Sequence, residues 1–537
     1  MKKFTTTYCL VFIFINLSSV GLLHAAMQSS GTSVSVRDFG ASGKKSQDAT
    51  AFIQEAIDVV ADKGGGTVIL PPGEYTSGTI FLRDNINLHL YAGATLFATT
   101  DTAAYEGKGK IKDTGSLDTP VLIYGKGLKN IAITGRGIIK GEPEFLSKPF
   151  APYEFIQREY DIAKAAGIEL VTPTRVEPSA SLIYLTECTD ILIEDVSLVD
   201  SPFWGLHLHW SERIRIRGIK ITSDLNLGVN SDGLDIDGCK DVVVSDCIIS
   251  TADDAIVLKT TDRNGEHRSC ENVTITNCIL ESTSSALKLG TESYGDFNHI
   301  IFDNCVIRNT NRGLGIFIRD GGTASNIIFS NITMECNRKD FHWWGDGDAL
   351  RFVVLKRNED SKIGGIENVL VKDVIAHVQG SSVIEGFEGK NLKNIKLSNV
   401  QFHMNRETTP DKRAVHGLQV KGVDNLTLKD VRVDWSTATE KNWESAVNIE
   451  AVNGLFIDNF VGRQGIATSN HPALHMKNVQ NARVFNCLAL PETKNFLKIS
   501  GSETANIYLS NNVLHEASKP VIKAKEVSEQ EVVYLDE

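Results

Sequence analysis

The chain has 537 residues, of which 42% are hydrophobic and 7% aromatic, and its formal net charge is −12. This acidic balance disfavours nucleic acid and anionic membrane surfaces as partners, although local cations can still bind an anionic sugar. Length alone predicts three or four domains, but a solenoid lengthens without thickening its core, so repeats would break that relation. The 44 glycines and the scarcity of long amphipathic helices favour a β-rich fold.

The first 26 residues predict a cleaved secretory signal. Lys2 and Lys3 form a basic start, a largely apolar run covers residues 8–23, and small residues follow that suit a signal peptidase. The run is shorter than a full membrane span and has no stop-transfer flank, although a retained anchor stays the alternative. Residues 27–537 are therefore expected to be secreted, to the periplasm or the extracellular medium, without a membrane partner.

Residues 48–63 predict an amphipathic helix. Its apolar residues recur at helical spacing, and Gly64-Gly65-Gly66 follows as a stop signal. Because a solenoid has to protect its end edges, we predict that this helix caps the N-terminal end. The segment TVILPPGEY then predicts the first strand and turn.

A short pattern recurs through most of the remaining chain. A polar residue, often Asn, precedes an aliphatic residue, an alternating strand, a second polar residue and a second short strand. From Ile191 to Ile327, successive anchors are 23, 28, 31, 27 and 27 residues apart. An irregular period of this length, with two or three strands per unit, predicts an all-β parallel β-helix. The anchor pairs are Asn130-Ile131, Asp190-Ile191, Arg213-Ile214, Asp241-Val242, Asn272-Val273, His299-Ile300, Asn326-Ile327, Asn368-Val369, Asn394-Ile395, Asn425-Leu426 and Asn506-Ile507.

Eight of the nine cysteines lie beyond the predicted signal. Cys247, Cys278, Cys305 and Cys487 occupy the same place in the strand pattern, which predicts small apolar core groups rather than disulfides. No CxxC spacing is present, and no metal site and no cofactor are expected.

Two stretches depart from the repeat, residues 142–180 and 337–363. We interpret both as loops or short helices beside a binding groove. The second contains Trp343 and Trp344, which either stack on a sugar ring or pack the loop on the solenoid. No Gly/Ser/Pro linker interrupts the chain, so a single domain and a monomer are expected for residues 27–537.

The segment NSDGLDID, residues 230–237, contains a concentration of carboxylates. Strand alternation sends Leu234 and Ile236 to the core, and Asp235 and Asp237 to the outer face. This departure from a regular coil marks a candidate site.

A second acidic segment, TADDAIVLKT, follows about one coil later. Asp253 and Asp254 lie 21 and 22 residues after Asp232, so we expect them on the neighbouring rung, about 4.8 Å along the axis. Stacked carboxylates repel, and at least one should keep its proton to a higher pH than an isolated Asp. Glycoside hydrolysis needs such a protonated acid beside an ionised base. A calcium site or a solvated acidic turn remains equally open from the spacing.

NSDG followed by a double Asp one coil later, on this repeat, resembles glycoside hydrolase family 28, the polygalacturonase family. DFGASGKKSQDATAFIQEAID (38–58) and SPFWGLHLH (201–209) are similar to that family as well. The resemblance covers residues 38 to about 335. It implies a right-handed single-stranded parallel β-helix and hydrolysis of pectic substrates.

The resemblance also implies roles for individual residues. Asp232 and Asp254 would position the attacking water, Asp253 would be the general acid, and Asn230 and Asp235 would support the site. The implied reaction is a single displacement with inversion. The usual separation of carboxyl groups in inverting enzymes, about 6.5–9.5 Å, is wider than one rung, but this family is known to invert with closer carboxylates.

The sequence departs from the family at two places. Residues 284–286 (SSA) stand where the family carries Gly-His-Gly, and Phe317-Ile318-Arg319 stands where it carries Arg-Ile-Lys. Lys259 and Lys288 could supply cations instead. These changes resemble divergent members that act from chain ends or on branched pectins, including rhamnogalacturonans.

Four cations lie near the proposed site in an acidic protein: Lys259, Lys288, Arg312 and Arg319. They predict an anionic sugar, since Arg pairs with a carboxylate bidentately, although they could simply keep a strand face soluble. Substrate contact is favoured for Lys259 and Arg319. His207 and His209, on one face of WGLHLH, are interpreted as packing or groove-lining residues.

We therefore predict an inverting, exo-acting hydrolase that releases galacturonate or a close relative from pectic oligosaccharides. A calcium-dependent lyase on the same fold is the first alternative, because Lys259 could serve as its base. A non-catalytic carbohydrate-binding β-helix is the second.

Overall fold

The computed structural model describes residues 32–105, 110–111, 119–149, 157–339 and 344–535. The predicted signal, residues 1–26, and Trp343 lie outside these ranges. Within the described ranges, none of the helices has both the length and the apolar character needed to span a bilayer.

Helix α1 (Thr50–Asp62) covers the N-terminal end of the solenoid. Its apolar face is buried at Ile53, Ala56, Ile57 and Val60. The backbone N–H of Gly65, which has a φ of 119°, donates to the Val60 carbonyl at 3.0 Å and ends the helix. The structure therefore contains the predicted capping helix.

The chain runs almost entirely as short strands; helix α2 (Gln157–Ala165) is the second α-helix among the described residues. In chain order the strands are β1 (Thr32–Ser35), β2 (Gly66–Leu70), β3 (Gly73–Ser77), β4 (Ile80–Phe81), β5 (Ile86–Leu90), β6 (Ala94–Ala98), β7 (Lys110–Ile111), β8 (Thr119–Lys126), β9 (Lys129–Gly135), β10 (Ile138–Lys140), β11 (Phe145–Pro149), β12 (Val171–Arg175), β13 (Ser181–Thr186), β14 (Thr189–Glu194), β15 (Ser197–Val199), β16 (Leu206–His209), β17 (Glu212–Arg217), β18 (Lys220–Thr222), β19 (Leu234–Asp237), β20 (Lys240–Ser245), β21 (Ile248–Thr251), β22 (Ile256–Thr260), β23 (Cys270–Thr276), β24 (Ile279–Ser282), β25 (Ser285–Ser293), β26 (Phe297–Thr310), β27 (Arg312–Ile318), β28 (Thr323–Cys336), β29 (Asp348–Val354), β30 (Gly365–Val378), β31 (Ser382–Glu385), β32 (Leu392–Met404), β33 (Leu418–Trp435), β34 (Val447–Asp458), β35 (Val461–Gly462), β36 (Pro472–Phe485), β37 (Leu488–Ala489), β38 (Asn495–Ser500), β39 (Ala505–Ser510), β40 (Lys519–Lys523) and β41 (Val532–Tyr534).

Apart from the antiparallel pairs β7–β8 and β11–β12, these strands pair in parallel into three stacks that wind as a right-handed β-helix, which confirms the predicted fold class. Stack A carries the candidate site and contains β13, β16, β19, β22, β25, β27, β29 and β31 in succession. Stack B contains β14, β17, β20, β23, β26, β28, β30 and β32. Stack C contains β10, β15, β18, β21 and β24 before it joins the second half of β26.

The predicted aliphatic anchors stack rung on rung inside this cylinder. Ile214 pairs with Val242, which pairs with Val273, and the column continues through Ile300 and Ile327. All five side chains are buried. Each such residue contributes about 1.5–3 kcal/mol by leaving water, and no single coil could bury its own set.

The asparagines before these anchors form a ladder along the outside. Asn368, Asn394 and Asn425 have φ values of 55°, 55° and 63°, in the left-handed region that Asn tolerates better than most residues. The Asn394 side-chain amide donates to Asn368 Oδ1 at 2.8 Å, and that of Asn425 donates to Asn394 Oδ1 at 3.0 Å. The predicted hydrogen bonding along the axis is thus present.

The cysteines behave as core residues. Cys247, Cys278, Cys305 and Cys487 are buried with free thiols, as are the other four cysteines of the described residues. The prediction of apolar packing rather than disulfides is confirmed.

The two irregular stretches were predicted incompletely. Residues 142–180 contain α2 but also an antiparallel hairpin of β11 and β12. Residues 337–363 contain β29, a full rung of stack A, so the loop prediction is wrong there. Leu350 and Phe352 of β29 are buried in the core. Their alternating spacing predicts a strand only when they are considered apart from the preceding glycine-containing segment.

Candidate active site

Asp232 and the Asp253–Asp254 pair meet on the outer wall of stack A. Asp232 precedes β19, and the pair precedes β22, the next strand of the stack. The Gly233 N–H donates to the Asp254 carbonyl at 2.9 Å, which fixes the two segments side by side. One oxygen from each carboxylate lies within 4.8 Å of the others. The structure therefore brings together the three predicted catalytic residues.

The three carboxyl groups have different protonation preferences. Burial and the charge of Asp254 raise the pKa of Asp253 to about 6. Burial, followed by the charges of Asp253 and Asp235, raises the pKa of Asp232 well above its ordinary value. Like charges this close cannot all be ionised, so the cluster retains protons to a higher pH than isolated aspartates would.

The pKa of Asp254, unlike those of Asp232 and Asp253, is lowered. Burial alone would raise its pKa, but the charges of Lys288 and Lys259 outweigh burial and lower it. Lys288 Nζ lies 2.5 Å from Asp254 Oδ2, and the Ser284 hydroxyl donates to Asp254 Oδ1 at 2.9 Å. The Ser285 N–H donates to the same oxygen at 3.2 Å. The serine pair that stands in place of Gly-His-Gly thus binds the Asp254 carboxylate.

Lys259 is an internal counter-ion of the cluster. Its Nζ lies 3.6 Å from Asp232 Oδ2, 3.6 Å from Asp235 Oδ1 and 3.3 Å from Glu292 Oε2. The same ammonium lies 4.3 Å from the centroid of the Trp204 ring. Burial would lower the pKa of Lys259, but Glu292, Asp232 and Asp235 outweigh burial and raise it. Lys259 therefore stays protonated.

Glu292 and Arg357 belong to the same network, although the sequence did not single them out. Arg357 donates to both oxygens of Asp320, at 2.7 and 2.9 Å, and to Glu292 Oε1 at 3.3 Å. Burial would raise the pKa of Glu292, but the charges of Lys259 and Arg357 lower it. Arg357 thus bridges the two carboxylates, with a bidentate contact to Asp320, in this wall of the site.

Asp235 and Asp237 lie on the predicted face of β19 but are fully buried beneath the site rather than exposed on it. Asp237 Oδ2 accepts a hydrogen bond from Thr261 at 2.7 Å and lies 3.2 Å from His207 Nε2. His207 and His209 are themselves buried among aromatic rings, which agrees with the packing interpretation.

A cavity of about 530 Å³ opens above the carboxylates. Arg312 donates through Nε to Asp348 at 3.0 Å, and Phe317 lies beneath its guanidinium at 4.8 Å. Arg319 and Trp344 contribute to the far wall. The lining residues are Trp204, Asn230, Asp232, Asp253, Asp254, Lys259, Lys288, Thr291, Glu292, Arg312, Phe317, Arg319, Trp344, Gly345, Asp346, Arg351, Leu355 and Arg357.

The three carboxylates could offer oxygen ligands to a divalent cation. Two of them already pair with ammonium groups, Asp254 with Lys288 and Asp232 with Lys259. A calcium ion would have to displace Lys288 or bind within a few ångströms of it. The donor set therefore fits calcium poorly.

The model of the family described as "Glycosyl hydrolases family 28" matches residues 84–409, which include the whole carboxylate cluster. The chain belongs to glycosyl hydrolases family 28. This membership confirms the family resemblance and agrees with an acidic site on a parallel β-helix.

Two curated relatives are similar to this chain over part of their length. A "Probable polygalacturonase" of Vitis vinifera is 26% identical over 249 residues, 44% of this chain and 46% of that protein. An "Exo-poly-alpha-D-galacturonosidase" of Dickeya chrysanthemi is 24% identical over 251 residues, 42% of this chain and 41% of that protein. The chain thus spans less than half the length of these two curated relatives.

A solved structure shares the fold. The exopolygalacturonase of Thermotoga maritima superposes with a TM-score of 0.59 and 23% identity, over 75% of this chain and 92% of that chain. At this identity the likeness concerns the β-helix itself.

Proposed function

We propose that this family 28 member is a secreted hydrolase that cleaves galacturonate-containing glycosidic bonds in pectic polysaccharides or oligosaccharides. The observation that carries this proposal is that three buried carboxylates line one cavity, and Lys288 pairs directly with one of them, Asp254. Burial and the Asp254 charge raise the pKa of Asp253 to about 6, whereas the charge of Lys288 lowers the pKa of Asp254 against burial. Glycoside hydrolysis needs both states side by side.

In the proposed mechanism, Asp253 donates its proton to the glycosidic oxygen as the bond to the anomeric carbon breaks. A water held between Asp254 and Asp232 attacks the anomeric carbon from the opposite face, and the ionised Asp254 accepts the water proton. The products are two sugars with inverted configuration at the new reducing end. Single displacement of this kind leaves no covalent intermediate.

The cations of the cavity support an anionic substrate. Lys288 and Arg319 reach the cavity beyond the carboxylates, and Arg matches a sugar carboxylate bidentately. Lys259 lies within 3.6 Å of Asp232, Asp235 and Glu292, so we assign it mainly to balancing those charges. Asn230 lines the same cavity and would contact the sugar hydroxyls.

The hairpin of β11 and β12 supports action from a chain end. It is inserted between β10 and β13, and its last residue, Arg175, stacks on Phe203 beside the catalytic rungs. An insertion there would obstruct a polymer that runs past the acids along stack A. The name of the Dickeya relative, an exo-galacturonosidase, agrees with this proposal.

The eliminase alternative needs a basic residue that gives up its proton before catalysis. Lys259 is a poor base because three carboxylates raise its pKa. We therefore expect saturated products, and we expect the hydrolysis to survive a calcium chelator. Unsaturated products that disappear with chelation would favour the lyase.

The decisive experiment is incubation of the chain with a panel of pectic oligosaccharides, with product size and anomeric configuration followed by NMR. Release of single galacturonate units with inverted configuration is expected. No release from any uronate-containing substrate would overturn the proposed function.

A matched pair of variants separates the enzyme from a non-catalytic binding β-helix. Asp253→Asn should lower turnover by about 10²–10⁴-fold while binding is retained, because it removes the general acid alone. Asp241→Asn, the same chemical change on stack B, is the control. Asp241 is exposed there and accepts a hydrogen bond from Asn272, and other rungs carry Asn in its place. Substrate binding without turnover in the original chain, with equal binding by Asp253→Asn, would favour the binding protein.

A further inference from the structure

The inserted hairpin carries an arginine to the edge of the catalytic cluster. β12 ends at Arg175, which pairs with Phe145 of β11. The Val176 N–H donates to the Glu144 carbonyl at 2.9 Å and closes the base of the hairpin. The position of the Arg175 backbone is therefore set by the hairpin rather than by a loose loop.

A row of stacked groups connects Arg175 to the cavity. Its guanidinium carbon lies 4.4 Å from the centroid of the Phe203 ring. Phe203 stacks on Trp204 at 5.2 Å with an interplanar angle of 16°, and Lys259 Nζ lies over Trp204 at 4.3 Å. Because Trp204 lines the cavity, Arg175 lies at the outer end of a stack that begins at the site.

The electrostatic surroundings of Arg175 also include the catalytic acids. Burial lowers its pKa, and the charges of Glu177, Asp232 and Asp253 act in the opposite direction. Asp232 and Asp253, whose charges act on Arg175, both line the cavity. Partial burial against Phe203 would also restrict the guanidinium before any ligand binds.

Arg175 lies on the N-terminal side of the acids, whereas the cations of β25 and of the β27 segment lie on the C-terminal side. Lys288, Arg312 and Arg319 are on β25, on β27 and directly after β27, on the C-terminal side of the catalytic rungs. Phe203 and the hairpin are on the N-terminal side, before β16. A substrate that crosses the acids along the axis would thus meet cations on both sides of the bond to be cleaved.

We propose that Arg175 binds the carboxylate of the sugar that occupies the cleft on the hairpin side of Asp253. This inference rests on the proposed function and extends it: the substrate carries a uronate at this position, and the hairpin provides its recognition. Arg175 is then a specificity-determining residue contributed by the insertion rather than by the coils of the β-helix.

The test measures binding in the Asp253→Asn background, so that the ligand is not consumed. Isothermal titration with trigalacturonate and with its carboxyl-reduced counterpart compares Asp253→Asn with Asp253→Asn/Arg175→Gln. A charge-assisted bidentate contact predicts that Arg175→Gln raises the Kd for trigalacturonate by about tenfold or more. The Kd for the carboxyl-reduced sugar should stay unchanged, and Arg175→Lys should restore part of the loss.

Arg268 provides the matched control, because its guanidinium lies over the Trp210 ring at 4.7 Å, outside the catalytic cavity. Arg268→Gln should leave both Kd values unchanged. Equal Kd values for Arg175→Gln and its parent would overturn the inference. An equal loss of affinity for the charged and the carboxyl-reduced sugar would also overturn it, because it would indicate that the hairpin only shapes the cleft. These outcomes leave the proposed function intact if the unsubstituted chain still hydrolyses galacturonides. Failure of the unsubstituted chain on every uronate substrate would overturn both.

Discussion

Lys288 Nζ lies 2.5 Å from Asp254 Oδ2, so a cation from the next rung of stack A fixes the ionised carboxylate of the cluster. Replacing it as Lys288→Met should raise the pKa of Asp254, because the Lys288 charge is the main influence that lowers it against burial. We expect kcat to fall by about 10–100-fold and the acidic limb of the pH–rate profile to move to higher pH.

Lys288→Arg keeps the charge and should leave the acidic limb near its original position. Lys240→Met removes an exposed lysine of stack B and controls for the change in net charge. An acidic limb that does not move in Lys288→Met would contradict the role of Lys288.

The pH dependence of hydrolysis should reflect Asp253. Its pKa is raised to about 6 by burial and by the Asp254 charge. Because the general acid has to be protonated, kcat/KM should decline as the pH rises through about 6. A profile measured from about pH 4 to pH 8 in constant ionic strength checks this expectation. Activity that keeps rising above pH 7 would exclude Asp253 as the acid.

The same raised pKa predicts a stability effect. The Asp253 pKa is about 6 in the folded chain, against an ordinary value of 3.8, so the folded state binds this proton more tightly than the unfolded state. The protonated Asp253 therefore stabilises the folded chain fully below pH 3.8, and this contribution is lost as the pH rises through about 6. For an Asp253 that titrates independently of its neighbours, this loss of stability would be on the order of 3 kcal/mol. Asp253→Asn, which cannot ionise, should therefore be more stable than the original chain at pH 8.

Thermal unfolding at pH 4 and pH 8 tests this difference. The Tm gain of Asp253→Asn should be larger at pH 8 than at pH 4, whereas Asp241→Asn should show no such pH-dependent gain. A long solenoid need not unfold in two states, so the comparison uses the change in Tm with pH rather than an absolute free energy. A larger gain at pH 4 would have the wrong sign.

The meeting of the three carboxylates was predictable because it depends on the repeat. Paired positions of β19 and β22, such as Leu234 and Ile256, are 22 residues apart, and this offset aligns Asp232 with Asp254. The same periodicity predicted the buried anchors and the core cysteines. Such features depend only on counting along regular coils.

The partners of Lys259 were not predictable in this way. Leu258 pairs with Leu289, but Thr260 pairs with Ser293, so β25 contains two extra residues at this point. This irregularity brings Glu292 to Lys259. Nothing in the local sequence predicts the shift in strand pairing that causes this contact. The burial of Asp235 was not predictable either: alternation predicts its face of the strand, but side chains from other rungs, such as Lys259, determine its exposure.

The asparagine ladder allows a test of the fold that does not involve the site. Asn394 has a φ of 55°, donates to Asn368 and accepts from Asn425. Asn394→Ala would lose both side-chain hydrogen bonds and place alanine in the left-handed region, so we expect a destabilisation of about 1–2 kcal/mol. Asn394→Gly tolerates this backbone and should lose less. Lys396→Ala, an exposed change in the same strand, is the control in urea unfolding followed by circular dichroism. Equal stability of the alanine and glycine variants would mean that the side-chain bonds, and not the backbone conformation, explain the asparagine at this position.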